Sequence, residues 1–148
     1  MSTLLSHLPL PERRAEIVAA CRDLLESEVS RKSGLSGFAV KAGYGALKAI
    51  KPGVVPEAID GLLDDFLAAL EELHAEHVAA PAGSFGGRMK REAPRVAEAL
   101  LRVTDRRAEQ SKHGTLRGLY RKLRPSALRN VEEAVPGLAD LVDRYYRP

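Results

Sequence analysis

The clearest chemistry in this chain lies in two runs of cations that no acidic residue interrupts. Between Glu28 and Glu57 every charged side chain is basic: Arg31, Lys32, Lys41, Lys48 and Lys51. The same holds between Glu109 and Glu132, with Lys112, Arg117, Arg121, Lys122, Arg124 and Arg129. Arg117, Arg121 and Arg124 stand at i, i+4 and i+7, which a helix places on one side, with His113 one turn earlier. Leu116, Leu119, Tyr120 and Leu123 make the adjoining apolar side. Such stripes neutralise phosphates on nucleic acid or anionic membrane, and the candidate anion-binding residues are Lys41, Lys48, Lys51, Lys112, Arg117, Arg121 and Arg124. The plainer reading leaves them in solvent, or pairs them with the acidic stretch Asp60, Asp64, Asp65, Glu71, Glu72 and Glu76. No helix-turn-helix, zinc-finger or RNA-recognition signature singles out nucleic acid.

Other candidates are weaker. Glu71-x-x-His74 has the spacing of carboxylate-bridged di-iron bundles, and His74-x-x-His77 could chelate one transition metal. A di-iron site needs a second Glu-x-x-His, which the second half lacks, so no metal or other cofactor is expected and the two histidines read as a polar helix end. Cys21 lies on an apolar stripe with no histidine near it in sequence, the setting of a structural thiol. Asp64 and Asp140 read either as an acid–base pair or as salt-bridge residues. The glycines at 83–87 lack the Gly-Lys-Ser/Thr ending of a phosphate-binding loop, and no strand precedes them.

The elements that carry these residues repeat. Shifted by 76 positions, residues 14–72 fall on 90–148 without a gap. Glu16 meets Glu92, Leu24-Leu25 meets Leu100-Leu101, Tyr44 meets Tyr120, and Asp64 meets Asp140. A fixed period marks a duplicated unit. Apolar spacing predicts helices over about 12–32, 36–50 and 54–77, then about 88–109, 114–123 and 126–146. Ser33-Gly34 stops the first helix, Ser36 caps the second, and Lys51-Pro52-Gly53 breaks before the third. Residues 79–87 form the linker between unit one (about 12–78) and unit two (about 88–148). Pro94 falls early in the fourth helix, Arg124-Pro125-Ser126 separates the last two, and Pro136-Gly137 kinks or splits the sixth. The expected fold is all-α: one domain, a tandem duplication of a three-helix unit packed as a pseudo-two-fold six-helix bundle.

The second helix is rich in small residues (Gly37, Ala39, Ala42, Gly43, Gly45, Ala46, Ala49), which predicts close approach to the other unit or to an apolar ligand. Tyr44 and Tyr120, at matching positions, are expected at the helix seams with their hydroxyls satisfying buried polar groups.

Composition is globular, with 45% hydrophobic and 29% charged residues. The net charge of +3 hides a split: 8 Lys/Arg against 12 Asp/Glu in residues 1–76, and 15 against 8 in residues 77–148. One cysteine, no signal-like start and no apolar run near about 20 residues fit the cytoplasm.

The stretch Lys32–Leu70, above all Ser33–Gly53, resembles a small family of uncharacterised bacterial proteins with a second, weaker copy of the same segment. The resemblance implies an all-α fold and transfers no functional residue. Function is therefore expected to be non-catalytic: a binding or scaffold protein with an unknown protein partner or a second copy of itself. The alternative is an anion-binding module contacting nucleic acid or anionic membrane through the basic second helix of each unit. Behind both stands a small-ligand or metal-binding bundle.

Overall fold

The computed structural model describes residues 3–147 apart from the side chain of Ser36. Met1, Ser2 and Pro148 lie outside the described residues, as does the Ser36 side chain expected to cap the second helix. The described residues form seven α-helices and a 3₁₀ turn, Leu5–His7, with no strand. Pro11 sits in the first turn of α1 (Leu10–Arg31), where a missing N–H costs nothing. α2 (Gly34–Lys48) begins with Ser33 at its N-cap. Gly53, at φ 77, makes the left-handed turn into α3 (Val54–Ala69). α4 (Glu71–Ala79), α5 (Phe85–Arg91), α6 (Ala93–Gln110) and α7 (Gly114–Tyr145) follow.

Apolar stripes decide the packing. α1 turns Ile17 and Val18 inward, α3 turns Leu63 and Leu67, and α6 turns Val96, Ala97, Leu100, Leu101 and Val103. Ile17, Val18, Leu63, Leu67, Val96 and Leu100 meet Val135, Ala139 and Val142 of α7 in one main core. A smaller cluster of Tyr44, Val54 and Val55 fills the corner between α2 and α3. α2 runs back along the first half of α7: Lys32 just ahead of it reaches Glu133 at 2.5 Å, while Gly43 faces Leu119 and Leu123. A Cβ at Gly43 would lie 2.9 Å from Leu123, so the predicted close approach occurs there, against α7. Ala39, Ala42, Gly45, Ala46 and Ala49, expected with Gly43 either at a seam or against an apolar ligand, are exposed.

Four boundaries depart from the sequence pattern, the first being that the helix expected over about 88–109 divides at Glu92 into α5 and α6. The third predicted helix breaks at Leu70, dividing α3 from α4 and turning both Leu70 and Leu73 into the core. The 79–87 linker is shorter, because Gly86 and Gly87 lie inside α5. Ser84 accepts from Gly87 N and Asp143 accepts from Gly86 N at 2.8 Å, so the first-turn donors that glycine would leave to solvent are satisfied. Neither Arg124-Pro125-Ser126 nor Pro136-Gly137 divides the chain: α7 runs as one 32-residue helix through both. Each proline removes a helix hydrogen bond at roughly 3 kcal/mol. The continuous inner face of Val131, Val135, Leu138, Ala139 and Val142 on the core outweighs that cost.

Gly86 also marks the tightest joint. A Cβ there would meet the Asp143 carboxylate and lie 2.6 Å from the Ala139 carbonyl oxygen, a backbone atom that cannot swing aside. Gly86→Ala is expected to cost about 1–3 kcal/mol, read as a lower urea midpoint. An unchanged midpoint would mean that α5 has room to move off α7.

Candidate functional site

The acidic stretch does not meet the basic second helices. Arg14 of α1 donates to Asp60 at 2.6 Å and to Asp64 at 3.1 Å. Arg107 of α6 donates to Asp65 at 2.9 Å and to the Gly61 carbonyl. Arg95 of α6 reaches Glu76 at 2.5 Å and Glu72 at 3.7 Å. Glu71 accepts from Leu4 N at 2.5 Å. All six carboxylates are thus engaged by other groups, and the pKa values of Arg14 and Arg95 are raised by these hydrogen bonds.

The candidate cations divide into engaged and unengaged. Lys51 pairs with Glu57 at 3.1 Å, and Arg124 grips Asp105 of α6 through Nε at 2.8 Å and Nη2 at 3.2 Å. Arg117 donates to the Ser111 carbonyl, and the Lys48 ammonium lies 5.0 Å from the Tyr44 ring centroid. Lys41, Lys112 and Arg121 are exposed, and none has an ion-pair partner among the described residues; the same is true of Lys122. At about 100° per residue, Leu119 and Leu123 turn to α2 while Tyr120 and Arg124 turn to α6. That division separates Arg124 from the Lys41–Lys48 edge of α2.

The outward face of α2 is apolar. Leu35 is 92% exposed and Phe38 73%, and Ala39, Ala42, Ala46 and Ala49 continue the same side. Lys41 and Lys48 border it on one edge. The sequence shows the small residues and the lysines, but not that the four alanines and both lysines lie on the solvent side.

The matched tyrosines behave alike. Tyr44 donates to Glu26 of α1 at 3.2 Å, and Tyr120 donates to Asp105 of α6 and meets Thr104 at 2.8 Å. Burial, aided by Glu26, pushes the Tyr44 phenol up to about 12. Burial likewise raises Tyr120, while Arg124 holds Asp105 below the usual carboxylate range. Asp64 and Asp140 do not face each other: Asp64 pairs with Arg14, and Asp140 pairs with Lys90 at 2.7 Å. Cys21 is half-buried against the core, and burial raises its thiol pKa.

His74 and His77 are not a polar helix end; they are 1% and 7% exposed. Phe85 lies edge-on to His74 at 5.1 Å, His7 stacks on Tyr146 at 4.7 Å, and His74 Nε2 is hydrogen-bonded to the Tyr146 hydroxyl at 2.8 Å. The termini close over this cluster: His7 Nδ1 meets the Arg147 carbonyl at 2.6 Å, and Arg147 N donates to the His7 carbonyl at 2.7 Å. A cavity of about 560 Å³ opens beside it, lined in part by His77, Phe85, Asp143 and Tyr146. No group of three or more His, Cys, Asp or Glu among the described residues has metal-holding geometry.

Burial lowers the pKa of both histidines. Neighbouring His7 adds to the effect at His74, and Arg88 and Arg91 add to it at His77, with Glu71 and Asp143 opposing. Unfolded, each titrates near 6.5. Below that pH the unfolded chain takes up protons that the folded protein refuses. Stability is therefore full above about pH 6.5 and falls as the pH drops beneath it. Urea midpoints measured from about pH 8 to about pH 5 should fall more steeply for the wild type than for His77→Gln. Parallel curves would show that His77 does not drive the acid loss.

Among known proteins, a family of unknown function (DUF6918) matches residues 4–146. No curated protein and no solved structure matches the chain.

Proposed function

The chain belongs to that family of unknown function, and from its own residues we propose that it is a non-catalytic cytosolic binding protein whose working surface is α2 with the adjoining first half of α7, taking an anionic partner. One observation carries this reading: Asp60, Asp64, Asp65, Glu71, Glu72 and Glu76 are engaged by Arg14, Arg95, Arg107 and Leu4 N, and Glu57 takes only Lys51 of the candidate cations. Lys41, Lys112, Arg121 and Lys122 consequently face solvent in stretches without acidic residues. Clustered unpaired cations attract phosphates and release counterions on binding. The test is elution from a polyanion column, with Lys41→Gln/Lys48→Gln and Arg121→Gln/Lys122→Gln expected to leave at lower salt than the wild type. Unchanged elution of both variants would contradict the proposal.

We infer as well that the fold is a tandem duplication packed about a pseudo-two-fold axis. Arg14–Asp64 and Lys90–Asp140 are the same pair 76 residues apart. Tyr44 and Tyr120 each bond to a carboxylate on the helix before them. α1 against α7 is matched by α6 against α3. In this reading α7 is the second unit's last two helices fused, with Pro125 at the former joint. An experimental structure in which α3 did not superimpose on the last half of α7 would contradict it.

A further inference from the structure

The outward face of α2 adds something that cations alone do not explain. Leu35 and Phe38 project from a convex helix at 92% and 73% exposure, and Ala39, Ala42, Ala46 and Ala49 continue the strip. Isolated surface leucines are ordinary; two large side chains and four alanines on one face make a patch. Gly43, Tyr44 and Leu47 hold the opposite face against α7 and the α3 corner. The helix is therefore anchored to the body while its apolar side stays outside.

We propose that the anionic partner is a lipid bilayer, and that α2 lies in its interface with Leu35 and Phe38 among the upper acyl chains and Lys41 and Lys48 at the headgroups. This rests on the reading of α2 as an anion-binding surface. Fifteen residues make a helix about 22 Å long, and no described helix is long and apolar enough to cross a membrane. α2 lies on the surface rather than spanning it. Charge selects the occupant: no acidic residue falls between Glu28 and Glu57, so a second copy docked on this face would bring lysines to the rim with no acid to meet them. Nucleic acid would meet methyl groups and a phenyl ring at the centre of the patch, where base and phosphate contacts need donors. A protein partner would have to supply the concavity itself, whereas a bilayer accepts protruding side chains.

The sequence supplies its own probe. The chain has no tryptophan, so Phe38→Trp places a single reporter at the proposed contact. The test mixes this variant with phosphatidylcholine vesicles, with the same vesicles carrying roughly a third phosphatidylserine, and with double-stranded DNA. The expected result is a blue-shifted emission with the anionic vesicles alone, lost at high salt. Leu35→Ser/Phe38→Ser should reduce co-sedimentation with those vesicles at least tenfold while leaving DNA affinity and the melting temperature unchanged. Lys41→Gln/Lys48→Gln should weaken vesicle binding about 25-fold, roughly fivefold per lysine. DNA binding without vesicle binding would overturn the bilayer assignment and leave the anion surface standing; binding to neither would overturn both. Capture by an acidic protein helix, or a dimer lost in Leu35→Ser/Phe38→Ser, with no vesicle binding, would likewise overturn it.

Discussion

Phe85→Ala lowers the stability of the folded chain by about 3–5 kcal/mol, the largest loss expected from any single truncation in this protein. The side chain is 1% exposed, and its ring meets His74 at 5.1 Å, His77 at 5.7 Å and Tyr146 at 6.2 Å. These partners come from α4 and from the C-terminal end of the chain, so one ring joins the two halves across a junction that also holds His7. The cavity beside it limits how far the neighbours can close over the gap, because its walls include Phe85 itself. Domains of this kind are stable by about 5–15 kcal/mol in total. The variant should therefore melt about 10 °C lower, at roughly 2–4 °C per kcal/mol. A calorimetric scan of both proteins decides it, and a shift under about 2 °C would mean that the junction is not part of the cooperative core.

The second large effect is on binding. Reversing Lys41 and Lys48 to glutamate should remove affinity for a polyanion by more than about 100-fold, because each lost cation becomes a repelling charge beside the contact. Lys48 also lies over the Tyr44 ring, so its reversal could disturb packing at the α2–α3 corner. Lys41 is exposed without such a contact, and Lys41→Glu alone isolates the charge effect. It should cost at least about fivefold with no change in melting temperature. Reversal of Lys90, which pairs with Asp140 away from α2, serves as the control and should leave affinity within about twofold. Equal losses at Lys90 and Lys41 would reduce the surface to a general effect of net charge.

Much of this architecture is legible in the chain because local rules govern it. Gly53 and Pro11 act where their backbone preferences say they should, and the α6 stripe from Val96 to Val103 is buried as its spacing predicts. The misread boundaries are those where tertiary contacts overrule local signals. Pro125 and Pro136 mark breaks in any local reading, yet the inner face of α7 keeps the helix whole. Gly86 and Gly87 look like a flexible hinge until Asp143, 57 residues away from Gly86, caps Gly86 and Ser84 caps Gly87. The candidate site divides in the same way. The absence of acids around Lys41 and Arg121 is visible in the sequence, and so are the carboxylates of the third predicted helix. Their engagement by Arg14, Arg95 and Arg107 depends on how α1 and α6 pack on α3 and α4, which spacing does not encode. The His7–His74–Tyr146 cluster joins residues 67 and 72 positions apart around His74, a juxtaposition that only the tertiary packing makes. The outward turn of Leu35 and Phe38 needs the seam at Gly43 to be known first, because an isolated α2 has two apolar sides.

The most direct test of the α2 surface is the affinity of the protein for a fluorescent DNA duplex at about 50 mM and about 200 mM salt, with Lys41→Gln/Lys48→Gln alongside. Duplex DNA serves as a soluble polyanion, whichever anionic partner the protein takes. The wild type should lose affinity steeply with salt, and the variant's slope in log K against log salt should be shallower by about two, close to one for each cation removed. Identical slopes for the two proteins, or no binding at low salt, would contradict an anion-binding role for α2.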